Sequence, residues 1–98
     1  MYAIVTRRKI NEARSAETRE RAQRDFFPKL QRTPGFVSFT LIQDTDGVNN
    51  AVVVFESEEA AAAFREEGDA WGRTLDELGH TVESFAQGQV TQHLTART

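Results

Sequence analysis

The spacing of apolar side chains changes several times along this chain, and each change marks an element. Residues 2–6, YAIVT, are a short run of strand type with apolar side chains on both faces. From residue 15 to residue 32 helix formers dominate, with Ser15 as the predicted N-cap. Ala22, Phe26 and Leu30 recur at every fourth position and predict a stripe that faces a core. Glu17 precedes Arg21 and Glu20 precedes Arg24 by four residues, the orientation that supports a helix. Pro28 predicts a kink in the last turn, and Pro34-Gly35 ends the segment.

A strand pattern follows at once over Phe36–Gln43, FVSFTLIQ, rich in aromatic and β-branched residues. Residues 44–50, DTDGVNN, predict a hairpin loop around Asp46-Gly47, and residues 51–55, AVVVF, a third strand. Ser57 is placed to cap the next helix, which opens with Glu58 and Glu59 at its positive end. Ala60, Phe64, Trp71, Leu75 and Leu78 form its apolar stripe, and Gly79 is its stop signal. Gly68 and Gly72 within GDAWG predict a kink or break there, with Asp69 capping a second helical piece. A last strand is expected over residues 81–94, bulged or bent at Gly88.

The order is β-α-β-β-α-β, which predicts an α+β, ferredoxin-like fold with a four-stranded antiparallel sheet and both helices on one face. The other face ought to be polar if it met water. AVVVF is instead apolar throughout, while FVSFTLI puts Phe36 and Ile42 on one face and Phe39 and Leu41 on the other. No segment is spare to cover the second face, so a homodimer packing sheet against sheet is expected, with C2 symmetry as the usual closed solution.

Composition narrows the function classes. The 98 residues predict one domain over 1–98, and a chain this short buries only about 60–65% of its unfolded surface. Twelve basic against fifteen acidic residues leave a net charge of -3, which gives no footprint for nucleic acid or an anionic membrane. Without cysteine there is no disulfide, thiolate metal site or Cys nucleophile, and a reducing cytoplasm fits. The first ten residues run from apolar to basic, the reverse of a signal peptide, and apolar runs reach about five residues against the ~20 that span a bilayer. No phosphate loop or nucleophile elbow occurs. DTDG resembles the start of a calcium loop but lacks its spacing and closing Glu, so it reads as a hairpin.

The segment FFPKLQRTPGF at residues 26–36, followed by a strand, an Asp-Gly hairpin, a strand and FESEEAAAAF, resembles the antibiotic biosynthesis monooxygenase family. That family lies in the dimeric α+β barrel superfamily, and the resemblance runs over residues 2–94. It implies a pairing of two sheets face to face and a cavity between the helices and sheet of each subunit. The family is similar in architecture and diverse in chemistry, from cofactor-free oxygenases of aromatic polyketides to haem-degrading enzymes.

In its cofactor-free oxygenases a Trp of the second helix and an Asn one turn earlier orient a phenolic substrate. Trp71 matches in kind, whereas Glu67 stands where the Asn would be. A carboxylate at that place offers a base to ionise a phenol. Gly68, on the stripe with Phe64 and Trp71, leaves either close helix–sheet packing or a gap for an aromatic ligand, walled by Phe26, Phe39 and Phe64. The haem degraders need an axial His on the second helix and an Asn in the first strand. Here Asn11 lies beyond that strand and His80 follows Gly79, so no haem is expected. His80 and His93 do not make a metal site, but His80 is a candidate acid–base group by its chemistry. Tyr2, Arg7 and Arg73 are further polar contacts at most.

Two functions follow, beside a third reading in which the fold is kept as a structural dimer with no pocket. The first is a cofactor-independent, monooxygenase-like enzyme acting on a small aromatic or quinone-type metabolite, with Trp71, Glu67 and His80 as candidate catalytic residues. The second is a non-catalytic dimeric module that binds a small apolar ligand or a partner.

Overall fold

The computed structural model describes residues 1–97. Four antiparallel strands, β1 (Tyr2–Lys9), β2 (Phe36–Gln43), β3 (Val48–Phe55) and β4 (Thr81–Gln89), form one sheet in the order β2-β3-β1-β4. Helices α1 (Ser15–Arg21), α2 (Phe27–Gln31), α3 (Glu58–Ala63) and α4 (Arg65–Glu77) supply the other layer. This is the ferredoxin-like α+β architecture expected from the sequence.

The first helical segment meets Pro28 by widening rather than by a simple kink. Proline has no N–H for the Arg24 carbonyl, and its ring would press on that carbonyl in a regular α-helix. Residues Ala22–Phe26 take π-helical geometry, and the Phe27 N–H reaches back to the Ala22 carbonyl. Ala22, Phe26 and Leu30 are all buried, as their spacing predicts. Ser15 is not the N-cap: a 3₁₀ turn at Glu12–Arg14 precedes α1, and the Ser15 hydroxyl donates to the Glu12 carbonyl at 3.1 Å.

Pro34-Gly35 closes this segment for two reasons. Gly35 has φ +84°, and a Cβ there would lie 2.5 Å from the Ala60 Cβ, so β2 can approach α3 only with glycine at this corner. Immediately afterwards the register shifts between Phe36 and Ser38. That bulge corrects the expected faces of β2. Phe36, opposite Phe55, and Phe39, opposite Val53, both pack against the core, so Phe36 does not share a face with Ile42.

The β2–β3 hairpin is tighter than DTDGVNN suggested. Asp44 Oδ1 accepts from the Asp46 and Val48 N–H groups at 2.9 and 3.1 Å, and pairing resumes at Val48. The Val48 N–H is the leading cause that holds the Asp44 carboxyl below the usual carboxylate range. Ser57 does cap α3, its Oγ accepting from the Ala60 N–H at 3.1 Å.

The helix break lies at Phe64, between α3 and α4, and not at GDAWG. Helix α4 runs unbroken through Gly68 and Gly72, so Asp69 caps nothing. It ends at Gly79, φ +88°, with the His80 N–H on the Leu75 carbonyl and the Gly79 N–H on the Asp76 carbonyl, a Schellman close. β4 stops at Gln89 rather than near Leu94, and its irregularity faces the Arg7/Arg8 junction. Gly88 sits in regular register with Ala3.

Phe26, Leu30, Phe55, Ala61 and Phe64 make the buried core, with Tyr2, Ile4, Phe39, Val53 and Trp71 packed on it. Residues alternate across a strand, so Ala3 and Val5 of β1 and Val52 and Val54 of β3 point to the opposite face. Among the described residues no helix is long and apolar enough to cross a membrane.

Candidate functional site

Two stripes at helical spacing face one another above the core. Arg21, Arg24, Asp25, Pro28, Lys29 and Arg32 run down the first segment, next to the buried Ala22–Phe26–Leu30 stripe. Glu67, Ala70, Trp71 and Thr74 run down α4. Between them lies a cleft of about 470 Å³ with Phe26 on its floor. A second cleft of about 300 Å³ continues past Thr33, Pro34, Ala63 and Phe64, and Lys29, Arg32 and Glu67 line both.

The floor is an aromatic stack. The Trp71 and Phe26 rings lie 5.0 Å apart and within 8° of parallel. Behind Phe26 stand Phe39 at 6.1 Å, edge on, and Phe64 at 5.9 Å. Trp71 is half-buried and opens onto the cleft, while Phe26 is only 7% exposed. A ligand entering the cleft therefore meets the Trp71 side chain, backed by an aromatic layer.

The predicted site residues fall into three places. Trp71, Phe26 and Glu67 line the larger cleft, and Phe64 and Glu67 the smaller. Phe39 belongs to the layer behind Phe26. Gly68 is half-buried in α4, and a Cβ built there would meet only the Phe64 ring, at 3.6–3.7 Å. That is ordinary contact, and no sheet atom lies within 4 Å, so close helix–sheet packing is not what the glycine serves. Glu67 is exposed and one helical turn before Trp71.

His80 stands apart from both clefts. It is 2% exposed, and its Nδ1 accepts from the Asn11 backbone N–H at 3.0 Å. A backbone N–H can only donate, so the ring proton sits on Nε2 and is given to Thr18 Oγ1 at 2.6 Å. Thr18 in turn donates to the Arg14 carbonyl at 2.8 Å. Burial, then the nearby Arg8 and Arg14 cations, lowers the imidazole pKa. The neutral ring thus ties the turn after β1 to α1 and to the end of α4.

Arg8 reinforces the same end of α4, donating to Asp76 Oδ1 at 2.7 Å and to the His80 carbonyl at 2.8 Å. The Asn11 side chain donates to the Leu78 carbonyl at 3.0 Å. Arg7, considered as a ligand contact, pairs instead with Asn50 at 2.8 Å and Asp44 at 3.5 Å.

The sequence reading missed Lys29 and Arg32. The signal was present, since both belong to the 21, 24, 25, 28, 29, 32 spacing that flanks the apolar stripe. Among the described residues no group of three His, Asp or Glu side chains is placed to hold a metal.

Comparison with known proteins places the architecture. No protein-family model matches the sequence, and no curated protein matches it. Among solved structures, a protein of Deinococcus radiodurans that bears the antibiotic biosynthesis monooxygenase name superposes with TM-score 0.79 at 10% identity, covering 100% of each chain. SnoaB, a cofactor-independent oxygenase from Streptomyces nogalater, gives TM-score 0.78 at 23% identity over 97% of each chain. The haem degrader MhuD from Mycobacterium tuberculosis gives 0.66 at 16%, covering 97% of this chain and 100% of that one. The chain thus has the ferredoxin-like fold of the antibiotic biosynthesis monooxygenases, a fold these neighbours use for different chemistry.

Proposed function

We propose that this protein is a cofactor-independent, monooxygenase-like enzyme for a small aromatic or quinone-type metabolite, working as a homodimer. The observation that carries the reading is the Trp71–Phe26 stack open to a cleft, with the Glu67 carboxylate on the same rim. The fold shared with SnoaB supports it. Trp71 would align the substrate ring, Phe26 and Phe64 would wall it with Phe39 behind, and Gly68 would leave room beside Trp71. Glu67 would take the proton of an acidic phenol or benzylic carbon. The electron-rich anion is then itself the reductant for O2. One oxygen atom replaces the two hydrogens of a methylene between aryl rings as a carbonyl, and the other leaves as water. All electrons come from the substrate, so no flavin or metal enters the balance. His80, with both ring nitrogens engaged in the fold, is given no proton-transfer role.

The test is oxygen uptake with anthrone- or quinol-type compounds, without added flavin or metal. Uptake is expected with the wild type and its loss with Trp71→Ala, while Glu67→Gln lowers kcat. A silent electrode at every compound would overturn the enzymatic reading. One observation favours the second reading, a ligand-binding module: Glu67 is exposed and has no hydrogen-bond partner among the described residues. Saturable binding without oxygen uptake would establish that alternative. The cytoplasmic location proposed with either function rests on the absence of cysteine.

A further inference from the structure

The charge around the clefts runs against the charge of the chain. The sequence has net charge -3, yet the larger cleft is lined by Arg21, Arg24, Lys29 and Arg32 against Asp25 and Glu67. Two of these cations are already neutralised. Arg21 holds Glu17 at 2.8 Å, and Arg24 holds Asp25 at 3.0 Å. Lys29 and Arg32 enter no ion pair among the described residues, and they are the two cations that line both clefts. They stand three residues apart across the last turn of α2, and so share a side of it. Glu67, across the clefts, lies beyond salt-bridge distance of either.

We infer that the cleft selects an aromatic ligand bearing a carboxylate, its ring against Trp71 and its anionic group between Lys29 and Arg32. This rests on the reading of the cleft as the ligand site, and it names the class of ligand. The Trp71–Phe26 surface recognises the flat apolar part and supplies no charge. A guanidinium beside an ammonium supplies what a carboxylate needs, forked N–H donors and net positive charge. The competing role for Lys29 and Arg32 is to complement the carbonyl end of α2. That role predicts an effect on stability and none on ligand choice, which separates the two.

The probes are 2-naphthoate and its neutral counterpart 2-naphthamide, each titrated into the full chain by calorimetry at low and at high salt. Binding at the cleft is registered on the indole N–H signal of Trp71, the only tryptophan. The naphthoate is expected to bind about tenfold more tightly at low salt, with the gap closing as salt rises. Lys29→Gln with Arg32→Gln should bring the two affinities together. Equal affinities in the wild type, or a preference that survives the double substitution, would overturn the charge selection and leave the cleft intact as a site. If neither compound moves the Trp71 signal, the cleft reading itself falls. A double variant with lowered melting temperature and unchanged preference would assign the two cations to the helix end alone.

Discussion

At the scale of single residues, His80 shows how a histidine can look chemical in sequence and be architectural in the fold. Its Nδ1 is an acceptor and its Nε2 a donor, a set that only the neutral ring satisfies. Burial, the larger cause, and the Arg8 and Arg14 cations lower its pKa from the ordinary 6.5. A protonated ring would lose the Asn11 N–H bond and would face those cations. The folded pKa lies below the unfolded one, so the stability this site contributes is complete above pH 6.5 and is lost as pH falls through the folded value. Thermal melts between about pH 7.5 and 5 should therefore show a falling Tm, and His80→Gln should flatten that slope while lowering Tm throughout. Equal slopes in the two proteins would place the titrating group elsewhere. The replacement removes the half-buried Asn11 N–H bond to the ring, and about 0.5–1.5 kcal/mol of destabilisation is expected from urea unfolding.

At the scale of elements, α4 is the place where sequence and structure part most usefully. Two glycines four residues apart argued for a break, yet the helix continues through both and the break falls at Phe64. The Ala61 and Phe64 side chains at the break are both buried, and the glycines within α4 lower its helix propensity without ending it. The bulge at Val37 and the π-turn before Pro28 were illegible for a related reason. Each is a slip of one residue: at Val37 it falls in a strand with apolar side chains on both faces, and in Ala22–Phe26 it leaves the buried Ala22, Phe26 and Leu30 at their four-residue spacing, so neither disturbs the apolar pattern. The order of elements was legible, because Pro34-Gly35, Asp46-Gly47, Ser57 and Gly79 punctuate it with turn and cap chemistry. Of the cleft, the aromatic half was legible from its apolar spacing, and the cationic half was hidden among ordinary helix charges. Gly68 offers the direct test of why a helix would carry the misleading residue. With only the Phe64 ring within 4 Å of a Cβ placed there, Gly68→Ala is expected to stabilise α4 by about 0.5–1 kcal/mol in denaturant unfolding. The same variant should weaken aromatic ligand binding if the space beside Trp71 is used. A destabilised Gly68→Ala would mean that the helix is held closer to its neighbours than this geometry has it.

At the scale of the molecule, the helices cover one face of the sheet and leave the other bare. On that bare face the register aligns Gly88, Ala3, Val54 and Ser38 in one row and Ala86, Val5, Val52 and Thr40 in the next. Small and β-branched side chains form its centre, while Arg7 and Asn50, joined at 2.8 Å, mark a polar end. The edge strand is open too. Ile42, on the bare face, is 52% exposed, while Phe85 on the opposite edge, 58% exposed, stands opposite Thr6 on the helix side. The proposed homodimer would bury this face against its own copy, with a two-fold axis through the sheets as the self-complementary solution. The clefts lie among the helices on the far side, so dimer formation and ligand entry would not compete. Light scattering at micromolar concentration is expected to give twice the 11.0 kDa of one chain. Val52→Lys places a charge in the middle of β3 on the bare face, where its neighbours are Val5 and Thr40, and should return the mass to that of one chain. Because Val52 does not face the core, the variant should still fold and still bind an aromatic ligand at Trp71. A wild-type protein that runs as a single chain would refute the dimer and leave the cleft chemistry standing, since every residue given a role in the cleft belongs to one chain.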